Sequence, residues 1–424
     1  MKKLTKYIHS RPRIVILGSG FAGAYCAKEL QKRLKKTEAD ILLIDQNNYF
    51  LFYPLLIEAG IGNLEPRHVV VPIRQYLTKR IRFRMADVKG LDPRQQNVQY
   101  KVKGENQIRS VRYDHLVVAL GSVTNYPPVP GLREYSYQVK TLADSVALRD
   151  RAIQMLEIAN VTRDPEKRRA LLHFVVVGAN YTGIEIAGEF DEYLKSGARK
   201  YRNLEPEDCK VTVVELTDKV LAAAAPKSGE YAMRVMKKRG IEFLLEETIS
   251  ELHEDHANLK SGGRLDTHTL VWCGGIAQNP LAEVFPLPQN KAGYFECEPD
   301  LRVKGYANIW GIGDCAANPI PDEGGVYPPT AQAATRLGTR CAQNICRSLR
   351  GDEPRPARFK SLGALASLGH RTAVAEVLGL RFSGRFAWWL WRTLYLSKMP
   401  GLGRKIRVAL DWTIELFFER DHVE

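Results

Sequence analysis

Short β-branched runs that end in glycine turns and pass into helical stretches recur in this sequence, and they predict a chain of strand-turn-helix units. Residues 14–17 form the first run, leading into Gly18-Ser19-Gly20-Phe21-Ala22-Gly23 and then AYCAKELQKRLKK, whose spacing is helical. A second strand, 41–44, ends at Asp45. The pattern returns at 174–177, with the turn Gly178-Ala179-Asn180-Tyr181-Thr182-Gly183, the helix IEIAGEFDEYLKS, and a strand over 211–214 that ends at Glu215. Between the two units, YDHLVVALGSVTNYPPVPG reads as a strand, a turn and a proline-rich crossing, which marks a domain boundary. TLVWCGGIAQNP looks like the matching return. Residues 308–311 predict another strand, followed by Gly313-Asp314 and by PPTAQAATRLGTRCAQNI, a helix approached through prolines. From Arg404 on, Arg404, Arg407, Asp411, Glu415 and Glu419 recur every three or four positions against Ile406, Ala409, Leu410, Ile414 and Phe417, an amphipathic helix with one wet and one greasy face. Strands alternating with helices predict an α/β chain.

The chemistry sits in the turns. G-x-G-x-x-G between strand and helix, with an acid about twenty residues further on, is the spacing of a dinucleotide-binding fold. The first glycine permits the tight turn, the second lets backbone approach a pyrophosphate, and the third allows close helix packing. The helix N-terminus then receives the phosphates, and Asp45 is placed to accept hydrogen bonds from a ribose. Two such units in one chain mean two nucleotides, and the pairing that follows is a flavin held permanently and a nicotinamide that comes and goes. In the second unit Asn180 stands where the middle glycine belongs. Asn tolerates positive φ, yet its side chain occupies space a pyrophosphate would use, which predicts a weakened or reshaped nicotinamide site.

Composition narrows the field. The chain has 424 residues, enough for about three domains. Its 45% hydrophobic and 26% charged content is that of a folded globular chain. A net charge of +14 favours anionic partners without choosing among them. Seven scattered cysteines with no CxxC pair argue against a disulfide scaffold, a zinc site or an iron-sulfur cluster, and suit a reducing compartment. The basic opening lacks the apolar run of a signal peptide, and no stretch reaches the length of a transmembrane helix. His253, Glu254, His256 and His268 are imaginable metal ligands, but their stretch reads as a polar hairpin, and no metal is expected. Cys341 and Cys346 read as core.

Several longer stretches are more specific. They are NYFLFYPLLIEAGIG from Asn48, the G-x-x-x-T-G-I-E turn ending at Glu185, the VWCGG return, GIGDCA around Asp314, PPTAQAA, and a tail of SLGALASLGHRTAV, GLRFSGRFAWWLW and LDW. Together they resemble the type II NADH:quinone oxidoreductases, single-subunit, non-pumping NADH dehydrogenases of the FAD-dependent pyridine nucleotide-disulfide oxidoreductase superfamily. The likeness runs from about Arg13 to the C-terminus. It implies two Rossmann-like dinucleotide-binding domains, for FAD and for NADH, plus a C-terminal amphipathic helical segment that docks on a membrane. The expected division is a flavin domain over 11–123 and 299–375, a nicotinamide domain over 124–298 and membrane-anchoring helices over 376–424. It also implies non-covalent FAD, NADH as substrate, and non-electrogenic transfer of a hydride to FAD and of two electrons onward to a membrane quinone.

Carried onto this sequence, the resemblance assigns Gly18, Gly20, Phe21, Ala22, Gly23 and Asp45 to the adenosine diphosphate half of FAD and Asp314 to its ribityl-phosphate region. Gly121, Gly313, Ala331 and Gln332 are further cofactor contacts, as are Gly178, Asn180, Thr182, Gly183, Glu215 and Gly275. Thr330 is placed to cap the helix beginning near Ala331, whose positive end would face the flavin. Glu215 should prefer a free ribose hydroxyl and repel a phosphate, favouring NADH over NADPH. Glu185 resembles the family's glutamate near nicotinamide and quinone, where a carboxylate positions substrate or relays a proton. Gln332 matches its glutamine, suited to a quinone carbonyl. Glu185 and Gln332 are the expected catalytic pair. Where the family's motif continues AQxAxQ, this chain has Arg336, read equally as a charge beside the quinone path or as a solvated helix residue.

Two other functions compete. A sulfide:quinone oxidoreductase or disulfide reductase needs cysteines flanking the flavin, and no CxxxxC follows the first glycine turn. A non-catalytic NADH-binding flavoprotein has only Asn180 in its favour. Nucleic acid has only the net charge, which the tail explains more economically. Four of the six tryptophans, Trp388, Trp389, Trp391 and Trp412, fall in that tail. Arg381, Arg385, Arg392, Lys398, Arg404, Lys405 and Arg407 add positive charge there without an acid between them. Anionic phospholipid is the natural counterpart, at the cytoplasmic face of the cell membrane. The alternative is packing on the body of the protein or on a second copy, which leaves room for a homodimer.

Overall fold

Ile14, Val15, Ile16 and Leu17 have no exposed surface, because the strand Arg13–Leu17 sits mid-sheet between parallel neighbours, Asp40–Asp45 and His115–Val118. A continuous apolar run, rather than an alternating one, suits a strand covered on both faces. The full sheet has seven strands in the order Ile309–Gly311, His115–Val118, Arg13–Leu17, Asp40–Asp45, Ile81–Asp92, Asn97–Val102 and Ile108–Arg112. The first five run parallel, Asn97–Val102 runs antiparallel to them, and Ile108–Arg112, antiparallel to Asn97–Val102, turns back to their direction. This is a computed structural model that describes residues 11–418 and 422–423. Glu419 of the expected amphipathic face, and the basic opening over 1–10, lie outside the described residues.

On this sheet the helices Phe21–Arg33 and Ala331–Leu349 pack against each other through small residues. A Cβ on Gly338 would lie 2.2 Å from the Ala22 carbonyl oxygen, so any side chain there would force the helices apart. Leu337, Cys341, Ile345 and Cys346 are buried beneath. These elements belong to one compact unit, made of the described residues up to Phe50, Val71–Val123 and Ala277–Ser361.

The second unit comprises Leu51–Val70, Thr124–Ile276 and the described residues from Leu362 on. Its centre is a five-stranded parallel sheet in the order Ser136–Tyr137, Thr269–Trp272, His173–Val177, Lys210–Glu215 and Glu242–Leu245. The helix Tyr181–Ala198 packs Ile184, Phe190 and Leu194 into a core with Phe174 and Val176. The stretch read as a polar hairpin is one, with strands His256–Leu259 and Arg264–Asp266 beside Ile249–Leu252. The His253 and His256 rings stack 4.4 Å apart and pair with Glu251 and Asp255. Among the described residues, no three His, Cys, Asp or Glu side chains gather as a metal site.

These units divide the chain elsewhere than at the expected residues 298 and 375. Residues 277–298 join the first unit because Gln278 donates to the carbonyls of Gly293 and Cys315, and Phe295–Glu296 pairs with Ala316–Ala317. Residues 362–375 join the second because the chain after the strand Gly363–Ser367 presses on the helix Tyr181–Ala198. A Cβ on Gly188 would lie 2.4 Å from the Leu368 carbonyl. The strands Ala373–Val377 and Leu380–Ser383 complete a small antiparallel sheet, and the helices Gly384–Lys398 and Leu402–Phe417 follow. No described helix is long and apolar enough to cross a membrane.

Candidate active site

The two glycine turns impose the same steric demand twice. Gly18 has φ +98°, its N–H donates to the Ile44 carbonyl at 2.9 Å, and a Cβ on it would lie 2.2 Å from the Ala119 carbonyl oxygen. Gly178 has φ +106°, donates to the Val214 carbonyl at 2.7 Å, and its Cβ would lie 2.6 Å from the Cys273 carbonyl oxygen. Only glycine fits either position. The third glycines, Gly23 and Gly183, close on the carbonyls of Gly18 and Gly178 in turn. The acids repeat as well. Asp45 Oδ2 accepts from the Ser19 N–H at 2.5 Å, and Glu215 Oε2 accepts from the Ala179 N–H at 2.6 Å. Each carboxylate is thereby fixed beside its turn. Burial raises the Asp45 pKa against the pull of the Asn47 and Ser19 N–H groups.

The first turn fits FAD. Nothing lies within 4 Å of where a Gly20 Cβ would be, and no side chain caps the helix Phe21–Arg33. An uncapped amino end beside open space is what a pyrophosphate requires. A Cβ on Gly313 would lie 2.9 Å from the Ala22 Cβ, so the Gly313-Asp314 corner rests against that helix's first turn. Ser122, next to Gly121, donates its hydroxyl to Asp314 Oδ2 at 3.1 Å. Thr330 caps the helix Ala331–Leu349 through Ala333 N–H at 3.2 Å, with Gln332 half-buried in its first turn.

The second turn differs where the sequence does. Asn180 Oδ1 accepts from the Gly183 N–H at 3.1 Å, and its Nδ2 donates to the Cys273 carbonyl at 2.6 Å. Its backbone, at φ −74° and ψ −178°, is ordinary extended chain. The side chain, rather than the backbone, therefore distinguishes this turn from the first. It occupies a helix-terminal amide that a nucleotide phosphate would seek. Thr182 is exposed, and nothing lies within 4 Å of a Gly275 Cβ.

Glu185 follows on the same helix, partly exposed as a residue but with its carboxyl crowded by protein. That crowding pushes its pKa up to about 8; the Ser367 N–H, donating to Oε1 at 3.1 Å, opposes it, while the charges of Glu189 and Glu58 add to it. The carboxyl consequently holds its proton at neutral pH. Burial also raises the phenols of Tyr181, to about 12, and Tyr395, both of which face Glu185. Glu189, Ser367, Glu58 and Tyr395 were not among the residues expected from sequence. The signal for Glu189 was its position one helical turn after Glu185; the others come from distant segments and carry no local signal.

Arg336 is half-buried on its helix. Its guanidinium lies 5.3 Å from the Phe359 ring centroid and donates to the Lys360 carbonyl at 2.8 Å, so it clamps the segment that leaves the first unit. Burial pushes the Cys273 and Cys315 thiols up to about 12, and all seven cysteines are buried and unpaired in disulfides. Protonated, inaccessible thiols do no sulfur transfer.

In the tail, the packed face of the helix Leu402–Phe417 carries Val408 and Trp412 together with Arg404, Asp411 and Glu415. Arg392 donates to Glu415 at 2.8 Å and lies 3.5 Å from Glu58, with its guanidinium 4.0 Å from the Trp388 ring and 4.9 Å from that of Trp412. Trp412 Nε1 donates to Glu58 at 2.7 Å. Asp411 accepts from the Glu65 N–H and meets His68 Nδ1 at 2.5 Å, while Arg404 donates to the Val70 carbonyl. The apolar residues point out: Leu402 is 74% exposed and Phe417 79%, with Ile406, Leu410 and Ile414 more than half exposed. Arg404, Asp411 and Glu415 of the expected wet face thus turn inward beside Val408 and Trp412, while Arg407 stays exposed. Arg392, Trp391 and Trp412, expected at a lipid surface, are buried, because they satisfy or surround the interior carboxylates. Trp389 and Phe386 remain outward.

Residues 12–338 match the pyridine nucleotide-disulphide oxidoreductase family, and residues 362–421 match the NDH2 C-terminal domain. A curated relative from Mycobacterium tuberculosis, the type II NADH:quinone oxidoreductase NdhA, is 31% identical over 96% of this chain and 87% of its own. The type II NADH:quinone oxidoreductase of Staphylococcus epidermidis is 30% identical over 93% of this chain and 97% of its own. Among solved structures, that of NDH2 from Plasmodium falciparum in complex with NADH aligns with a TM-score of 0.89 at 20% identity, covering 97% of this chain and 100% of that one. It shares the fold.

Proposed function

This chain belongs to the pyridine nucleotide-disulphide oxidoreductase family and ends in an NDH2 C-terminal domain, and on that premise we propose that it works as a type II NADH:quinone oxidoreductase attached to the surface of a membrane. It is an FAD-dependent NADH dehydrogenase whose electron acceptor is a quinone, and it pumps no protons. The observation that carries the site assignment is the doubling of one nucleotide-binding turn, with a proton-holding carboxyl, Glu185, two residues after the second.

FAD, when bound, supplies the chemistry of taking a hydride and passing two electrons on. The residues hold and orient around that. The uncapped helix end at Gly20 would hold the pyrophosphate and Asp45 would accept from a ribose, while Asp314 is steadied by Ser122. Glu215, held by the Ala179 N–H, accepts from the NADH ribose and repels a 2′-phosphate, which selects against NADPH. Glu185 would present a proton to a substrate oxygen, and the Gln332 amide is of the kind that hydrogen-bonds a carbonyl. Thr330 caps the helix Ala331–Leu349, whose positive end would favour negative charge on a group held beside it.

The outward apolar face of Leu402–Phe417, with Arg381, Arg385, Lys398 and Arg407 exposed around it, supports peripheral attachment to anionic phospholipid at the cytoplasmic face of the membrane. The buried thiols count against the sulfide reading. Anaerobic mixing tests the function: NADH should bleach the bound flavin far faster than NADPH does, and quinone should restore its colour. A protein that binds no flavin, or a flavin that quinone leaves reduced, overturns it.

A further inference from the structure

The nucleotide turns and the tail do not account for all of the chain's net charge of +14, and part of it gathers on one face of the seven-stranded sheet. Arg82 and Arg84 stand two residues apart on the strand Ile81–Asp92, so their side chains leave the same face about 7 Å apart. The parallel register sets Arg82 abreast of Leu42 and Arg84 abreast of Ile44, with Arg13 abreast of Asp40 further down the same face. On the antiparallel side Tyr100 stands opposite Arg109, and the Arg84 guanidinium lies 5.2 Å from the Tyr100 ring centroid. Tyr100 is buried, so its ring holds a half-buried guanidinium in place from beneath. Burial, and then the charges of Arg82 and Arg109, push the Arg84 pKa below its ordinary value. Burial, Arg82 and Arg84 do the same to Arg13, against the pull of Asp40 and Asp114.

Carboxylates answer most of this charge. Asp40 meets Arg82 at 3.1 Å and Arg11 at 3.4 Å, Glu105 meets Arg109 at 2.6 Å, and Asp114 accepts from the Arg13 N–H at 2.6 Å. Arg84 meets no carboxylate among the described residues, and residues 1–10 contain no acid. Like charges held around an unanswered guanidinium cost stability. Two ordinary reasons for the cluster fail. Arginines on an edge strand deter pairing with another chain, but Ile81–Asp92 lies inside the sheet with a neighbour on each side. The phosphates of FAD belong elsewhere, because Arg13, Asp40 and Arg82 stand where their strands begin, whereas the Gly18 turn and Asp45 lie where the strands end. We propose that Arg84, together with Arg82 and Arg109, binds a phosphoryl anion at a site separate from both nucleotide turns. A guanidinium offers paired N–H donors to two oxygens of one anion. A carboxylate brings a single charge and two oxygens, enough for Arg84 alone. A phosphoryl group brings up to two charges and three oxygens, and so can bridge Arg84 to Arg82 or Arg109 while Asp40 and Glu105 keep their partners. The ligand class is a phosphomonoester or a di- or triphosphate, whether soluble or carried on a lipid headgroup. No bond is made or broken; the anion supplies the missing countercharge. Filling the site relieves repulsion in the sheet that carries the Gly18 turn, so the ligand stabilises the flavin-binding unit.

The test takes the full FAD-loaded chain with NAD⁺ at saturation, so that both nucleotide turns are filled, and titrates inorganic pyrophosphate against sodium chloride of equal ionic strength. Pyrophosphate should raise the melting temperature saturably, and titration calorimetry should show one site. Arg84→Gln should weaken that binding on the order of ten- to a hundredfold. Without pyrophosphate it should melt no lower than the wild type, because it relieves the repulsion from Arg82 and Arg109. Arg84→Lys, which keeps the charge but loses the paired donors, should fall between the two. Arg112→Gln removes an equal charge from the opposite face of the strand Ile108–Arg112 and should bind as the wild type does. A wild-type protein with no saturable response beyond that of sodium chloride overturns the proposal. So does a response of wild-type size in Arg84→Gln, which places the anion elsewhere. If Arg84→Gln fails to fold, Arg82→Gln and Arg109→Gln decide: weakened binding in either supports the site, and wild-type affinity in both overturns it. Vesicles containing phosphatidic acid identify the source. Weaker vesicle binding by Arg84→Gln than by the wild type assigns the anion to a lipid headgroup, whereas equal vesicle binding beside weakened pyrophosphate binding assigns it to a soluble ligand.

Discussion

Replacing Ile406, Leu410 and Ile414 together by serine should detach the protein from membranes without unfolding it. The three side chains are 52%, 55% and 56% exposed on the outward face of the helix Leu402–Phe417, so roughly half of each is left for lipid to cover. Sinking the remainder of each into lipid removes roughly half a side chain from water, and full burial of such a residue is worth about 1.5–3 kcal/mol. Each substitution therefore costs docking about 1 kcal/mol and the three together about 3 kcal/mol, on the order of a hundredfold in partition. Folding loses at most the covered half of each side chain, about 1 kcal/mol per site, so the triple variant should melt lower yet remain folded. The assay is co-sedimentation with phosphatidylglycerol-containing vesicles at physiological salt, alongside thermal melting and turnover of a short soluble quinone as controls. A folded triple variant that binds vesicles as the wild type does refutes the docking argument. A triple variant that turns from dimer to monomer while still binding vesicles reassigns the face to contact between two copies.

Asn180→Gly should lower the KM for NADH several-fold with little effect on the rate of flavin reduction, because the Gly183 N–H is released for a phosphate and one hydrogen bond is worth about 0.5–1.5 kcal/mol; an unchanged KM in steady-state kinetics means the carboxamide does not compete. Folding raises the Glu185 pKa to about 8, so the folded chain binds one more proton than the unfolded chain between about pH 4.5 and 8. Stability then falls across that window as pH rises, by up to about 1.4 kcal/mol per unit. Denaturant titrations should show Glu185→Gln less sensitive to pH there, and parallel profiles would count against it. Arg392→Met leaves Glu58 and Glu415 buried without their cation, at a cost of about 3–5 kcal/mol. Its melting temperature should drop, its tail should become open to protease, and adding Glu58→Gln should recover part of the loss.

Both nucleotide turns were legible in the sequence because their requirements are local. Gly18 and Gly178 need positive φ beside a carbonyl, Gly23 and Gly183 must close on the same turn, and the acids lie at the ends of the next strands. Such constraints act within a few tens of residues and leave a readable spacing. Glu185 could be singled out the same way, but its proton affinity could not. That property comes from Glu58, Ser367 and the buried Glu189, and two of these three lie more than a hundred residues away.

The tail marks the limit most clearly. Its spacing determined that Leu402–Phe417 is a helix with two faces, because periodicity reports segregation of polar from apolar positions. Which face turns inward is a tertiary question. It was decided by Glu58, His68 and the Val70 carbonyl, which meet Arg392, Trp412, Asp411 and Arg404 across more than three hundred residues of chain. Paired and hydrogen-bonded, those polar groups can be buried, and the greasy stripe is left facing outward. No local pattern can announce a partner so distant, and so the sequence alone determined the helix while the packing of the folded unit determined its orientation.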